Sequence, residues 1–207
     1  ASFSFDASAS EIFMALFSGA SLLITPENLR NDAVLFENFI QQNKVTVLTL
    51  PPSYLSQLSE SNFAYVKSIV TAGEPAIKKD ALRFGKGRNY FNAYGPTETS
   101  VCASIYKFHE NSPQEGILPI GKPIQNITIH ILDAYLNLLP IGSTGELYVG
   151  GIGVAKGYLN NKNLTDEKFI VSPFDKTVKL YKTGDLARYL PDGNIEFIGR
   201  IDDQIKV

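Results

Sequence analysis

Short apolar segments alternate with helix-like patterns through the first 105 residues, and this alternation constrains the fold more than any other feature. Glycine or proline follows each apolar segment within two residues, as expected at strand ends. The predicted strands are 20–24, 45–50, 68–72 and 89–93. Because strands that alternate with helices pair in parallel, this half predicts a parallel sheet flanked by helices.

Polar and proline residues mark the predicted helix starts in this half. Asp6 or Ser8 can cap a first helix, and Asn31 or Asp32 can cap a second. The second helix is predicted to face inward with Val34, Leu35, Phe39 and Ile40. Two more helices are expected to open at the prolines 51–52 and 75.

The second half has a different texture, with short strands separated by turns. We predict strands at 128–132, 146–149, 179–181, 187–190 and 194–198, and one helix over 162–170. Pro191-Asp192-Gly193 is a hairpin signal between the last two strands. This pattern favours a distorted antiparallel β-barrel beside the α/β part.

A sharp break follows the strand at 89–93. Gly95-Pro96 must end the strand, because proline cannot donate a ladder hydrogen bond. Thr97 and Glu98 come directly after, so hydroxyl, carboxylate and backbone amides meet where a phosphate and its metal ion could bind. Tyr94 offers a flat ring for a base. A polar turn after a core strand is the simpler alternative, and the local sequence leaves both open.

Three further motifs follow in the chain. They are Gly145–Gly151 with Ala155–Leu159, Tyr181–Leu186, and Gly199–Lys206. Together with 92–99 they resemble, in order, the YGPTE, GELxxGGxGxARGYL, Y(K/R)TGDL and GRxDxQVK segments of adenylate-forming enzymes. The resemblance is greatest to the amino-acid-activating adenylation domains of nonribosomal peptide synthetases, of the phenylalanine- and tyrosine-activating gramicidin and tyrocidine type.

This resemblance implies a division of the chain. Residues 1–105 would be an α/β subdomain with the substrate pocket and the AMP loop, and 106–200 a β-barrel-like subdomain of the same large N-terminal domain. Residues 201–207 would be a hinge that leads to a small C-terminal domain. Both ends of the chain look like cuts, which predicts a fragment of a longer protein.

The resemblance also implies a nucleotide site for ATP or AMP and Mg²⁺. Thr97 would bond a phosphate, Glu98 would hold the metal ion, and Arg200 would reach the ribose or phosphate; these three are the predicted catalytic residues. Asp185, at a predicted turn between strands, would bind the ribose hydroxyls. The full predicted nucleotide-binding set is Gly73, Asn92, Ala93, Tyr94, Gly95, Thr97, Asp185 and Arg200. Turn capping by Asp185 and a structural salt bridge by Arg200 are the alternatives.

An amino-acid pocket is implied by position within the same family. Its residues would be Asp6, Ala7, Ser10, Thr49, Val70, Ala72, Ala93, Val101 and Cys102. Asp6 would pair with the substrate ammonium, although local sequence alone favours a helix cap. The small walls suit a large flat side chain, and the hydroxyls of Ser10 and Thr49 favour L-tyrosine over the alternative, L-phenylalanine. Cys102 is expected to be a wall residue rather than a nucleophile.

Composition limits the remaining possibilities. A net charge of −2 without a basic cluster argues against nucleic-acid binding, and no apolar run suits a membrane span. A single cysteine is typical of a reducing cytoplasm. Expected partners are ATP, a small-molecule amino acid, condensation domains and a peptidyl carrier domain that bears phosphopantetheine.

Two other functions stay open from sequence. An acyl- or aryl-CoA ligase would share the nucleotide motifs but would not need Asp6. A non-catalytic, recombinable subdomain is the other. The family's lysine-ended phosphate loop and its C-terminal catalytic lysine fall outside these residues, so we expect the isolated chain to be inactive.

Overall fold

The computed structural model describes residues 1–112 and 116–201. Its helices are α1 (Ala7–Phe17), α2 (Ala33–Gln42), α3 (Pro52–Leu55), α4 (Lys78–Gly85) and α5 (Lys162–Lys168). Its strands are β1 (Val47–Leu50), β2 (Ser68–Ala72), β3 (Asn89–Tyr94), β4 (Ser104–Lys107), β5 (Lys122–Pro123), β6 (Ile127–Leu132), β7 (Gly145–Gly151), β8 (Phe169–Val171), β9 (Lys179–Tyr189) and β10 (Ile195–Arg200). Short 3₁₀ turns cover Glu27–Leu29, Glu60–Asn62 and Thr97–Thr99.

The chain divides into two compact units. The first contains Ala1–Asn92 and Lys107–Leu118, and the second contains Ala93–Tyr106 and Pro119–Val207. The division into subdomains inferred from the sequence, at residues 105 and 200, stays a prediction. The hinge predicted at 201–207 and most of its motif lie outside the described residues, which end at Ile201.

The first sheet has the strand order β1-β2-β3-β4-β5. β1 pairs in parallel with β2, with Thr49 opposite Val70, and β4 pairs antiparallel with β5. The α/β architecture is therefore confirmed, with the predicted parallel pairing at β1–β2 and an antiparallel edge strand, β5. β2 ends where predicted, because Gly73 follows it with φ +87°, a backbone conformation that suits glycine.

The strand predicted at 20–24 is wrong. These residues have no regular secondary structure, and Ile24 is 77% exposed. Apolar composition predicted the strand, but a strand also needs a neighbour for its backbone hydrogen bonds. No strand in the described part of the chain pairs with this segment.

In the second helix the predicted cap and the inward-facing Ile40 are confirmed, and Phe39 is half-buried, but two of the four predicted inward-facing residues are exposed. The Asp32 side chain accepts from the Leu35 amide at 3.0 Å, so α2 starts as predicted. Its buried apolar residues are Phe36 and Ile40, whereas Val34 and Leu35 are exposed. Phe36 and Ile40 are four residues apart, so they share a face from which Val34 and Leu35 point away.

The predicted cap of the first helix is absent, and the helix predicted from Pro75 starts later than predicted. Asp6 makes no capping bond, and its own backbone is helical. The helix predicted from Pro75 begins at Lys78, because Ile77 is extended and forms an antiparallel bridge with Ile117. A long-range backbone pairing therefore overrides the local proline signal.

The second sheet lies within the second unit. Its strand order is β10-β9-β7-β6, and β8 also pairs with β9. Every pairing is antiparallel, so the sheet is the curled, barrel-like element expected. The hairpin at 191–193 joins β9 to β10, as predicted.

Two predictions in this unit are wrong in detail. The strands predicted at 179–181 and 187–190 are one strand, β9, so Asp185 lies within a strand rather than at a turn. Gly184 has φ +74°, and the register against β7 shifts between Glu146 and Tyr148, so β9 bends without ending. The helix predicted to Ile170 ends at Lys168, where β8 begins.

A buried apolar cluster supports the second sheet. Its central residues come from β6, β7, β9 and β10: Ile127, Ile129, Ile131, Leu147, Val149, Ala187 and Ile195. Tyr94 and Ala103 belong to the same cluster. The end of β3 is therefore anchored in this core. Among the described residues, no helix is long and apolar enough to cross a membrane.

Candidate functional site

The turn after β3 is built around Gly95. A Cβ at this position would lie 2.5 Å from the Val101 carbonyl oxygen and 2.7 Å from the Cys102 Cα, which are backbone atoms. Only glycine permits this approach, as the sequence predicted in general terms. Ser100 and Val101 have φ of +62° and +73°, and positive φ is strained for a β-branched residue. The chain therefore reverses sharply directly behind Thr97 and Glu98.

Residues 153–155 fix this turn from outside. The Ala155 amide donates to the Glu98 carbonyl oxygen at 2.8 Å. The Ser100 hydroxyl donates to the Gly153 carbonyl oxygen at 2.7 Å. These bonds tie two of the sequence motifs together, so the backbone that carries Thr97 and Glu98 is held in one position.

The Glu98 carboxylate has a phenol partner that the sequence reasoning missed. The Tyr158 hydroxyl donates to Glu98 Oε1 at 2.6 Å, and the Tyr181 hydroxyl lies 3.4 Å from that of Tyr158. Burial, and then the bond to Glu98, raises the pKa of Tyr158, so its phenol stays a donor. Both tyrosines lie inside recognised motifs, but spacing alone gave no sign that they meet Glu98.

Asp185 is the centre of a second cluster. It is 2% exposed, and its amide donates to the Thr183 hydroxyl at 3.0 Å. The Tyr94 hydroxyl donates to Oδ2 and Arg200 Nη1 donates to Oδ1 at 2.9 Å. Three predicted nucleotide-binding residues therefore converge. Burial, followed by the Asp185 charge, raises the pKa of Tyr94 well above its usual value, so the phenol remains a donor.

The oxygen atoms of Thr97 and Glu98 suit a magnesium ion that is shared with a nucleotide better than a metal centre with only protein ligands. No cluster of three or more His, Cys, Asp or Glu side chains occurs among the described residues. Mg²⁺ is usually held by one or two carboxylates together with substrate phosphates. Glu98, which is half-buried beside the exposed Thr97, is suited to that arrangement.

Asp6 has an unusual environment in the first unit. Its Oδ2 atom is buried and has no hydrogen-bond partner among the described residues. A buried, unpaired carboxylate oxygen costs free energy, because desolvation is not compensated. Since the side chain also makes no cap, the predicted capping role does not account for it.

The other predicted pocket residues share one property. With Asp6, all of them are half-buried: Ala7, Ser10, Thr49, Val70, Ala72, Ala93, Val101 and Cys102. The Ser10 hydroxyl donates to the Ala7 carbonyl oxygen at 3.1 Å. Asn92 is buried, with its side-chain oxygen 3.5 Å from the Thr71 hydroxyl. Each unit thus holds part of the predicted set.

In open α/β sheets, ligands bind beyond the carboxyl ends of the strands. The turn that carries Thr97 and Glu98 follows the end of β3, so it lies where a nucleotide site is expected. The family model described as AMP-binding enzyme matches residues 1–159. The chain therefore belongs to the AMP-binding enzyme family.

Two curated relatives match over all 207 residues. Tyrocidine synthase 1 of Brevibacillus parabrevis is 48% identical, and gramicidin S synthase 1 of Brevibacillus brevis is 46% identical. The chain covers 19% of the length of each, so it spans about a fifth of these relatives.

Solved structures show the same fold. The nonribosomal peptide synthetase FmoA3 matches with a TM-score of 0.90 and 30% identity, over 97% of this chain and 23% of the other. PA1221, an NRPS protein containing adenylation and PCP domains, matches with a TM-score of 0.90 and 27% identity, over 100% of this chain and 43% of the other.

Proposed function

We propose that the protein carrying this chain activates an amino acid for nonribosomal peptide synthesis. The reaction joins the amino-acid carboxylate to the α-phosphate of ATP and releases pyrophosphate. Family membership and the peptide synthetases among the relatives support the class of reaction. The observation that carries the choice of an amino acid is the buried, unpartnered carboxylate oxygen of Asp6. A substrate ammonium would supply the missing donor and charge.

In this proposal the two clusters of the second unit bind the ribose and the phosphates. Asp185 receives the ribose hydroxyls, and its orientation is fixed by Tyr94 and Arg200. Thr97 donates to a phosphate, and Glu98 holds Mg²⁺, which when bound neutralises charge on the phosphates. The remaining nucleotide-binding residues, Gly73, Asn92, Ala93 and Gly95, contact adenine or allow its close approach.

Side-chain size supports an aromatic substrate. The alanine and valine residues of the proposed set have small side chains, which suit a pocket for a ring. The hydroxyls of Ser10 and Thr49 offer partners to a phenol, so tyrosine is the proposed substrate and phenylalanine the second candidate. Cys102 is a wall residue, since burial raises the pKa of its thiol and disfavours the nucleophilic thiolate.

The proposal includes a carrier partner. The PA1221 match is a protein with adenylation and PCP domains. By the same arrangement, the product here would pass to the phosphopantetheine of a carrier domain, and then to a condensation domain. The proposed subdomains are 1–105, with the amino-acid pocket and the AMP loop, and 106–200, which is barrel-like.

ATP–pyrophosphate exchange with each of the twenty amino acids tests this function in the protein that carries the chain. We expect exchange to be highest with tyrosine, then phenylalanine, and to require Mg²⁺. Highest exchange with an aliphatic or acidic amino acid would overturn the aromatic specificity. Exchange with aryl or acyl acids alone would overturn amino-acid activation.

A further inference from the structure

Tyr158 is held by contacts on several sides. Its amide donates to the Thr165 hydroxyl at 2.8 Å. Its ring packs edge-to-face on Phe169 with centroids 5.4 Å apart, and Phe169 packs on Tyr181 at 5.1 Å. Gly157, just before it, has φ +143°, and a Cβ there would lie 2.3 Å from Thr165 Cγ2. The phenol therefore has little freedom to leave Glu98.

We propose that Tyr158 is a positioning residue for Glu98, and that its hydrogen bond to Oε1 presents Oε2 to the metal ion. This inference rests on the proposed function, which makes Glu98 the magnesium ligand. It extends that function by giving a role to a tyrosine outside the set predicted from sequence.

The geometry explains why a carboxylate here needs such a partner. Glu98 sits on a short 3₁₀ turn, and a glutamate side chain has three rotatable bonds. The carbonyl of Glu98 is fixed by Ala155 and its carboxylate by Tyr158, so backbone and side chain are both anchored to the segment 155–158. Hydrogen-bonded partners of ligating carboxylates commonly change metal affinity about 10–100-fold when removed.

Tyr158→Phe tests the role, because it removes one oxygen and keeps the ring on Phe169. In the protein that carries the chain, we expect the Mg²⁺ concentration for half-maximal exchange to rise about 10-fold. The second readout is the EPR spectrum of Mn²⁺ with a non-cleavable ATP analogue, in which the variant should form the protein-bound complex more weakly. The matched control is Tyr189→Phe, which removes a hydroxyl that donates to the Ile129 carbonyl oxygen within the second sheet.

These experiments distinguish failure of the positioning role of Tyr158 from failure of the proposed amino-acid activation. Unchanged Mg²⁺ dependence and Mn²⁺ spectrum in Tyr158→Phe, with normal wild-type exchange, would overturn the positioning role alone. An equal effect of Tyr189→Phe would also overturn it, as a general loss of stability. Absence of exchange by the wild type with every amino acid would instead overturn the proposed function. If Tyr158→Phe does not fold, Thr165→Val is the second variant, because it removes the acceptor for the Tyr158 amide. It should also raise the Mg²⁺ requirement, and no rise would contradict the role.

Discussion

At the scale of single residues, a buried ion pair lies at the centre of the second cluster. Asp185 and Arg200 form an ion pair whose side chains are 3% and 18% exposed. Each partner has a further hydrogen bond. The Tyr94 hydroxyl donates to Asp185, and Arg200 Nη1 donates to the Thr183 carbonyl oxygen at 3.3 Å. Removing one partner of a pair this buried is costly, because the remaining desolvated charge loses its nearest counter-charge.

Asp185→Asn should therefore destabilise the chain by about 3 kcal/mol, since it removes a buried counter-charge from beside Arg200. Urea unfolding followed by circular dichroism measures the loss. The matched control is Glu196→Gln, which breaks the more exposed Arg188–Glu196 pair between the same two strands and should cost less than about 1 kcal/mol. Equal losses in the two variants would contradict the burial argument.

Cys102 gives a second prediction, on pH dependence. Burial raises the pKa of its thiol, so the folded chain contains less thiolate at a given pH than free cysteine does. Alkylation by iodoacetamide should be slower than that of free cysteine at pH 8, and its rate should still rise at pH values where free cysteine has levelled off. The sequence contains one cysteine, so the signal has one source. The urea-unfolded chain is the control; a folded rate profile that coincides with it would contradict the shift.

At the scale of elements, the turn after β3 was the most predictable part of the site. Gly95-Pro96 predicted a strand end, and β3 ends at Tyr94. The close approach of the chain at 101–103 could not be predicted, because it depends on how the turn folds back. Asp185 shows the reverse case: its aspartate-beside-glycine pattern suggested a turn, but pairing of β9 with β7 and β10 kept it in a strand.

Gly95→Ala should destabilise the turn by about 2 kcal/mol or more, because the added Cβ meets backbone atoms that cannot move independently. Thermal unfolding measures the change. Gly199→Ala is the control, since a Cβ there would meet nothing within 4 Å. If Gly95→Ala unfolds at the wild-type temperature, the tight packing described for this turn is incorrect.

Helix caps allow a comparison of two aspartates. Asp32 caps α2, so Asp32→Asn should retain most of the cap and Asp32→Ala should lose about 1 kcal/mol of stability. Asp6 makes no cap, so Asp6→Ala should leave stability nearly unchanged or increase it by removing a buried, unpaired oxygen. Urea midpoints test both. A loss from Asp6→Ala as large as that from Asp32→Ala would assign Asp6 a structural role.

At the scale of the whole molecule, the sequence predicted the class of fold. It did not predict the features that depend on which segments meet in the folded chain. The parallel sheet followed from the alternation of strands and helices, and the antiparallel sheet from short strands and the hairpin at 191–193. The segment 20–24 was misjudged because its apolar residues carry no information about a neighbouring strand. Tyr158 was missed because it is 60 residues from Glu98 in sequence and meets it only through tertiary structure. Tyr181 was missed because it lies beside Tyr158 only in the folded chain.

Asp6 is proposed to pair with the ammonium of the amino acid that the carrying protein activates. The most direct measurement is ATP–pyrophosphate exchange by the wild type and by Asp6→Asn, with tyrosine and with the matching phenolic acid that lacks the amino group. With tyrosine as substrate, exchange by the wild type should be at least about 100-fold faster than exchange by Asp6→Asn. The reason is that a buried ammonium without its counter-charge costs about 3 kcal/mol or more. The acid without an ammonium should be a poor substrate for both proteins. Equal exchange by the two proteins with tyrosine would contradict the pairing of Asp6 with the substrate ammonium.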